Sequence, residues 1–254
     1  MMKKFVEIKD INIAYVEEGE GDPVIVLHGW GASIEAVMSI VNILKPFRKV
    51  YALDGPGFGD SDDPKEVFST HDYAEVVKDF MKIKGIDKAD FIGHSFGGKT
   101  LIALSTTYPD LVRKLVLVDA SGIIPKRKLS YYIKVYGFKL SKFLYTRLFF
   151  WKDRDELLEK FYKRHGSDDY KSAGGIMRQV FVKVVNEDLE PKLKDISQET
   201  LLIWGDSDDA TPLYMGKIFE REIKNSGLVV LKGGHYSYAD DYPTFKAVIE
   251  SFLR

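Results

Sequence analysis

The chain contains no cysteine, and this absence removes several kinds of chemistry. Disulfide bonds, thiolate metal sites and cysteine nucleophiles are all excluded. Its five histidines are widely spaced and give no His-x-x-x-His pair, the helical spacing that many zinc enzymes use. The sequence therefore implies no bound metal ion, and no motif implies an organic cofactor.

An excess of charge and long apolar runs are missing as well. The 37 Lys and Arg residues offset the 38 Asp and Glu residues and leave a net charge of −1, so the molecule has no electrostatic reason to bind nucleic acid. No stretch approaches the roughly 18 apolar residues of a membrane span. Near the first residue, Glu7, Lys9 and Asp10 interrupt any apolar signal core. We expect a cytoplasmic protein without a membrane span.

Short apolar runs bounded by Gly, Asp or Pro predict strands that are buried on both faces. They occupy residues 23–27, 50–53, 89–92, 115–118, 201–204 and 228–231, and alternation over residues 5–18 predicts a hairpin. Helical patterns cover residues 69–84, 95–108 and 243–253. Because strands and helices alternate, we predict an α/β fold with a mainly parallel central sheet flanked by helices.

Residues 123–193 break this alternation. They are helical in pattern, rich in aromatic side chains and without a strand-like run, which predicts a helical insertion over the strand ends. Residues 1–122 and 194–254 are then the core domain. Between residues 123 and 165 there are twelve Lys or Arg and four Asp or Glu. A solvated basic face over a buried apolar stripe is the favoured explanation, and attraction of anionic substrates or anionic lipid is the alternative.

A glycine-rich motif places a serine between a predicted strand and a predicted helix. The motif reads Gly93-His94-Ser95-Phe96-Gly97-Gly98. A nucleophile on such a sharp turn needs small neighbours because its backbone is strained and the flanking chain is crowded. The helix N-terminus that follows favours negative charge on an oxyanion. The context therefore predicts Ser95 as a nucleophile rather than an idle serine in a glycine turn.

A serine hydroxyl needs an adjacent base, and in this architecture the chain order is serine, acid, histidine. Only His165 and His235 follow Ser95, and His165 lies in the insertion before every good acid candidate. His235 follows two glycines after the last predicted strand, which lets a loop direct its side chain across the strand ends. We predict His235 as the base.

The acid is expected in the loop after residues 201–204, where Asp206, Asp208 and Asp209 compete. The pattern of the residues does not choose among them. An oxyanion hole needs two backbone N–H groups. One is expected from Phe96, directly after the nucleophile, and the other from the turn at residues 28–31.

Together these motifs resemble the α/β-hydrolase superfamily over nearly the whole chain. The resemblance is carried by His28-Gly29-Trp30-Gly31, by Asp54-Gly55-Pro56-Gly57-Phe58-Gly59-Asp60-Ser61, by the serine motif, by Trp204-Gly205-Asp206-Ser207-Asp208 with Pro212, and by Gly234-His235. It is closest to the lidded branch with esterases, meta-cleavage-product hydrolases, haloalkane dehalogenases and epoxide hydrolases. The resemblance implies Asp208 as the acid, Trp30 and Phe96 as oxyanion donors, and a helical lid between strands six and seven.

The sequence departs from the pattern of this branch at two positions, and each departure argues against some of its enzyme groups. A serine nucleophile argues against dehalogenases and epoxide hydrolases, which need a carboxylate to form an alkyl-enzyme ester. Meta-cleavage-product hydrolases usually carry Trp directly after the catalytic His, and here that residue is Tyr236. Arg178 could serve as their carboxylate-binding Arg, although a lone helical Arg is more often solvated or salt-bridged. The candidate substrate-binding residues are His28, Gly29, His94, Arg178 and Tyr236.

The sequence thus predicts a serine hydrolase for a small-molecule ester, with a carboxylesterase of short- to medium-chain esters as the favoured function. The alternatives are a carbon–carbon bond hydrolase of meta-cleavage products, another specialised acyl hydrolase, or a ligand receptor that kept the hydrolase fold. The oligomeric state stays open.

Overall fold

A computed structural model describes residues 2–125, 129–148 and 173–254. Eight strands form one sheet in the order β1-β2-β4-β3-β5-β6-β7-β8. They are β1 Lys4–Ile8, β2 Ile11–Glu18, β3 Pro23–Leu27, β4 Lys49–Leu53, β5 Ala89–His94, β6 Val112–Val118, β7 Glu199–Gly205 and β8 Ser226–Leu231. The β1–β2 and β2–β4 pairs are antiparallel and all other pairs are parallel. The mainly parallel sheet is therefore confirmed.

Helices cover both faces of this sheet. The described helices are α1 Ile34–Leu44, α2 Thr70–Lys84, α3 Phe96–Thr107, α4 Leu129–Leu148, α5 Gly175–Val185, α6 Leu213–Glu222, α7 Ser237–Asp240 and α8 Tyr242–Leu253. Side chains of β3 alternate between the two cores: Val24 and Val26 pack with α1 and α8, whereas Ile25 and Leu27 pack with α2 and α3. Because both faces are covered, the central strands read as continuous apolar runs rather than as an alternating pattern. The predicted burial on both faces is wrong for β8, an edge strand in which Val230 is 46% exposed.

Three of the described helices, α1, α6 and the short α7, were not predicted from the sequence. The backbone N–H of Ile34 at the start of α1 donates to Asp54 Oδ1 at 2.6 Å, and Ser33 in the N-cap position makes no capping bond. The cap is thus supplied from twenty positions away, where no local pattern reveals it. In contrast, α2 has the predicted capping box, because Ser69 and Asp72 bond each other's backbone N–H groups.

The segment between β6 and β7 is described in part, by α4 and α5. The apolar side chains of the basic segment were expected to be buried beneath its charged face. On α4 this expectation is wrong for Tyr136, Leu140, Phe143 and Leu148, which are exposed. The rest of the basic segment, His165 included, lies outside the described residues. Among the helices that are described, none is both long and apolar enough to cross a membrane.

Candidate active site

Ser95 occupies the tight turn between β5 and α3. Its backbone has φ of 50° and ψ of −111°, a conformation that a residue with a side chain rarely adopts. The strand and the helix cross so closely that a Cβ on Gly93 would lie 2.6 Å from the carbonyl carbon of Gly97. Gly93 is therefore required by the crossing that presents Ser95 at the strand ends, and Gly97 is required because a Cβ there would lie 2.4 Å from the backbone oxygen of Leu27 in β3.

Ser95, His235 and Asp208 form one hydrogen-bonded chain. The distance from Ser95 Oγ to His235 Nε2 is 2.9 Å, and that from His235 Nδ1 to Asp208 Oδ2 is 2.8 Å. Since the carboxylate can only accept, Nδ1 carries the proton and Nε2 is left to accept from the serine hydroxyl. This arrangement can remove the serine proton during attack on a carbonyl carbon.

The Asp208 carboxylate is held by a full set of donors. Its Oδ1 accepts from the backbone N–H groups of Ala210 and Thr211, and its Oδ2 accepts from Thr211 Oγ1. Burial would raise the pKa of Asp208, but the hydrogen bonds from His235 and Thr211 outweigh burial and hold the pKa below its usual value. Asp208 is therefore the anionic partner of His235.

Asp206 has a different set of contacts. Its Oδ1 accepts from the backbone N–H of Gly233 and from Ser207 Oγ, and its side chain is exposed. Asp209 is also exposed. Of the three competing aspartates, the structure brings Asp208 to the imidazole of His235.

A buried carboxylate at the end of β6, Asp119, was missed from the sequence. Its Oδ1 accepts from the backbone N–H of Gly205 at 2.8 Å, and its Oδ2 accepts from Ser237 Oγ at 2.6 Å. Its backbone oxygen lies 3.0 Å from Thr211 Oγ1, the hydroxyl that donates to Asp208. Asp119 thus ties together the loops that carry Asp208 and His235. Its position directly after a buried apolar run is the signal that could have identified it.

Asp119→Asn is expected to change the pH dependence of stability. Burial raises the pKa of Asp119 to about 6 against the hydrogen bond from Ser237, whereas an unfolded Asp titrates near pH 4. Between these values only the folded state holds the proton, so this group makes the folded state less stable as pH rises. The rise in the pKa of Asp119 corresponds to about 3 kcal/mol of unfolding free energy.

Urea unfolding at a series of pH values measures this effect. From pH 4 to pH 7 the wild type should lose up to about 3 kcal/mol of unfolding free energy relative to Asp119→Asn. A difference between the two proteins that stays constant with pH would contradict the assigned titration.

Ser95 lies in the wall of a cavity of about 310 Å³. Trp30 and Phe96, the expected oxyanion donors, both line it, and their ring centroids lie 5.3 Å apart in an edge-to-face contact. Gly29 lies on the same wall. Phe96 is the first residue of α3, where a backbone N–H has no acceptor within the helix. These residues border the space in which a substrate carbonyl would meet Ser95.

The other candidate substrate-binding residues divide into two groups. His94 and Tyr236 line the cavity, and His94 Nε2 donates to the backbone oxygen of His235 at 2.7 Å. His28 is not among the described lining residues: its Nδ1 donates to the backbone oxygen of Gly29, and its Nε2 accepts from the backbone N–H of Gly55. Arg178 is buried near the start of α5 and is likewise not among them.

A strained serine turn, a hydrogen-bonded histidine and aspartate, and a mainly parallel sheet together define an α/β hydrolase. The family model for the alpha/beta hydrolase fold matches residues 22–242, and the chain belongs to this family. It is a hydrolase by the same similarity.

Relatives cover the chain almost completely. It is 30% identical to 2-hydroxy-6-oxononadienedioate/2-hydroxy-6-oxononatrienedioate hydrolase 1 of Pseudomonas putida, over 98% of this chain and 96% of the relative. It is 28% identical to 2-hydroxymuconate semialdehyde hydrolase of Pseudomonas putida, over 93% and 89%. The crystal structure of the meta-cleavage product hydrolase from Pseudomonas fluorescens IP01 has a TM-score of 0.74 at 24% identity, over 98% and 97%, and shows the shared fold.

Proposed function

We propose that the protein hydrolyses a carbon–carbon bond in a vinylogous 1,5-diketone acid, through an acyl-enzyme on Ser95. The observation that carries the proposal is the near-complete overlap with the 30% identical Pseudomonas putida hydrolase, whose name describes such a substrate. Support comes from Ser95, His235 and Asp208, whose hydrogen-bonded order suits nucleophilic attack on a ketone. The carboxylesterase function favoured by the sequence becomes the second candidate.

The steps of the proposed reaction follow from the site geometry. Ser95 Oγ attacks the ketone carbon and its proton passes to His235 Nε2. The former carbonyl oxygen becomes an oxyanion, for which the backbone N–H groups of Trp30 and Phe96 are the proposed donors. The substrate reacts as its keto tautomer, the vinylogous 1,5-diketone, in which the 2-hydroxy group of the dienoate has become a keto group. The carbon–carbon bond then breaks, its electron pair passes into this conjugated keto group of the leaving fragment, and His235 gives the serine proton to that fragment. A water molecule activated by His235 then hydrolyses the ester bond of the acyl-enzyme and releases the acyl group from Ser95 as a carboxylic acid.

Ester hydrolysis uses the same residues with an alcohol as the leaving group. Tyr236 favours this second candidate, because meta-cleavage-product hydrolases usually carry Trp at the position after the histidine. For a bounded cavity, each further methylene of the acyl chain gains roughly 0.8 kcal/mol while it fits and nothing beyond the wall. The kcat/KM of esters should then rise with acyl length and collapse for long chains.

A substrate panel separates the candidates. The wild type should cleave a 2-hydroxy-6-oxo-dienoate with a higher kcat/KM than any ester of a 4-nitrophenyl acyl series. Slow cleavage of the dienoate beside fast, Ser95-dependent ester hydrolysis would make the protein a carboxylesterase. Tight binding of either compound without Ser95-dependent turnover would instead indicate a ligand receptor with the hydrolase fold.

We also infer that residues 123–193 form a lid over the cavity and that residues 1–122 and 194–254 form the core. Support comes from α5, which lies in this segment and contributes Phe181, Val184 and Val185 to the cavity wall. A cover made of such side chains would set which substrates fit.

A further inference from the structure

A buried lysine lies in the wall of the same cavity as Ser95. Lys99 stands one helical turn after Ser95 on α3, and its backbone N–H donates to the Ser95 backbone oxygen at 3.1 Å. Its side chain is 5% exposed. Among the lining residues that the structure describes, Lys99 is the only Lys, Arg, Asp or Glu. Within the described lining, Lys99 is therefore the charged residue nearest in sequence to Ser95.

The ammonium group of Lys99 is incompletely matched. Its Nζ donates to the backbone oxygen of Val184 at 2.5 Å and to that of Glu187 at 2.6 Å. An ammonium has three N–H donors, and the residues that the structure describes supply acceptors for two of them. The Glu187 carboxylate does not bind this ammonium group but accepts from the backbone N–H of Thr70. Within the described residues, no carboxylate pairs with Lys99.

Burial without a carboxylate is unfavourable for a cation. It lowers the pKa of Lys99 to about 8, although Glu187 and Asp188 act in the opposite direction from a distance. An anion that entered the cavity would relieve this cost and would find a charged donor ready to bind it.

We propose that Lys99 binds the carboxylate of the substrate and so makes the enzyme selective for anionic acyl compounds. The inference deepens the proposed function, since it names the group that recognises the acid end of the diketone acid. Ser95 and Lys99 line the same cavity and are joined by a backbone hydrogen bond, so one short substrate could present its carbonyl to Ser95 and its carboxylate to Lys99. Lys99 takes here the role for which the sequence suggested Arg178.

A structural role for Lys99 makes a different prediction. By binding the two carbonyl oxygens near the end of α5, Lys99 also fastens this segment to α3. If fastening were its whole contribution, replacing Lys99 would affect substrates of every charge to the same extent. The ratio of kcat/KM between a charged and a neutral substrate therefore distinguishes the two roles.

The experiment uses two esters of equal chain length, mono-4-nitrophenyl glutarate, which is anionic, and 4-nitrophenyl pentanoate, which is neutral. Both need only Ser95 chemistry, so the test reports on Lys99 even if the carbon–carbon substrate is not cleaved. In Lys99→Met the ratio of kcat/KM, anionic over neutral, should fall by about 10- to 100-fold, the loss expected for a charged hydrogen bond. Lys99→Arg should retain most of the ratio.

Lys114→Met is the matched control. Lys114 also donates to a backbone oxygen, that of Phe252 at 2.8 Å, but it is not among the described residues lining the cavity. Its replacement should leave the ratio unchanged. If the ratio of kcat/KM, anionic over neutral, were equal in wild type and Lys99→Met, the proposal would be overturned and Lys99 would have only a structural role.

If Lys99→Met does not fold, inhibition of the wild type gives the answer. Pentanoate should compete with the neutral ester at least tenfold more tightly than pentanamide does, because only the acid carries the charge that Lys99 would bind. Equal inhibition by the two compounds would overturn the proposal.

Discussion

Ser95→Ala is expected to lower kcat by about 10⁴- to 10⁶-fold and to abolish labelling by a fluorophosphonate probe. The Ser95 hydroxyl is the group that His235 Nε2 contacts at 2.9 Å, and its backbone is held in a strained turn that directs it into the cavity. Alanine keeps the turn but removes the oxygen atom that we propose forms the acyl-enzyme. Mass spectrometry of the labelled protein and steady-state kinetics measure the two effects.

Ser121→Ala is the control for the labelling. Ser121 lines the same cavity, but its hydroxyl donates to the backbone oxygen of Ser95 rather than to a histidine. A probe that needs an activated serine should therefore still label Ser121→Ala. Labelling that survived in Ser95→Ala would show that a different residue is the nucleophile.

Asp208→Asn is expected to lower kcat by about 10⁴-fold while the protein stays folded. The carboxylate accepts the Nδ1–H of His235 at 2.8 Å and stabilises the imidazolium that forms when Ser95 loses its proton. An amide in its place can donate to Nδ1, which would favour the tautomer that carries the proton on Nε2 and cannot accept from serine. Steady-state kinetics beside a thermal unfolding curve separate this effect from misfolding.

Asp206→Asn is the matched control on the same loop. Asp206 contacts Gly233 and Ser207 and makes no described contact with His235, so its replacement should change kcat by less than about tenfold. Loss of activity in Asp206→Asn with near wild-type turnover in Asp208→Asn would reverse the assignment of the acid.

The sequence predicted those features that local patterns determine. Most strands are short apolar runs between turn residues, and the serine turn has glycines at positions where the backbone leaves no room for a Cβ. Such features need only a few neighbouring residues to be recognised.

Features that depend on distant partners were missed or left open. The N-terminus of α1 is capped by Asp54 from another loop, so its sequence shows no start signal. Asp206 and Asp208 are two residues apart, and only the path of the folded loop shows which one meets His235. Lys99 looks like an ordinary helix residue in the sequence, because its burial comes from a helix that lies more than 80 positions later.

The strand order has a consequence for how activity arises during synthesis. Ser95 follows β5, near the middle of the sheet, whereas His235 follows β8 at its edge, 140 positions later in the chain. A ribosome-bound chain that has emerged only as far as β6 contains the serine but no base to activate it. We expect such a chain to be inactive, and we expect activity to arise only once β8 has docked at the edge of the sheet and His235 can reach Ser95.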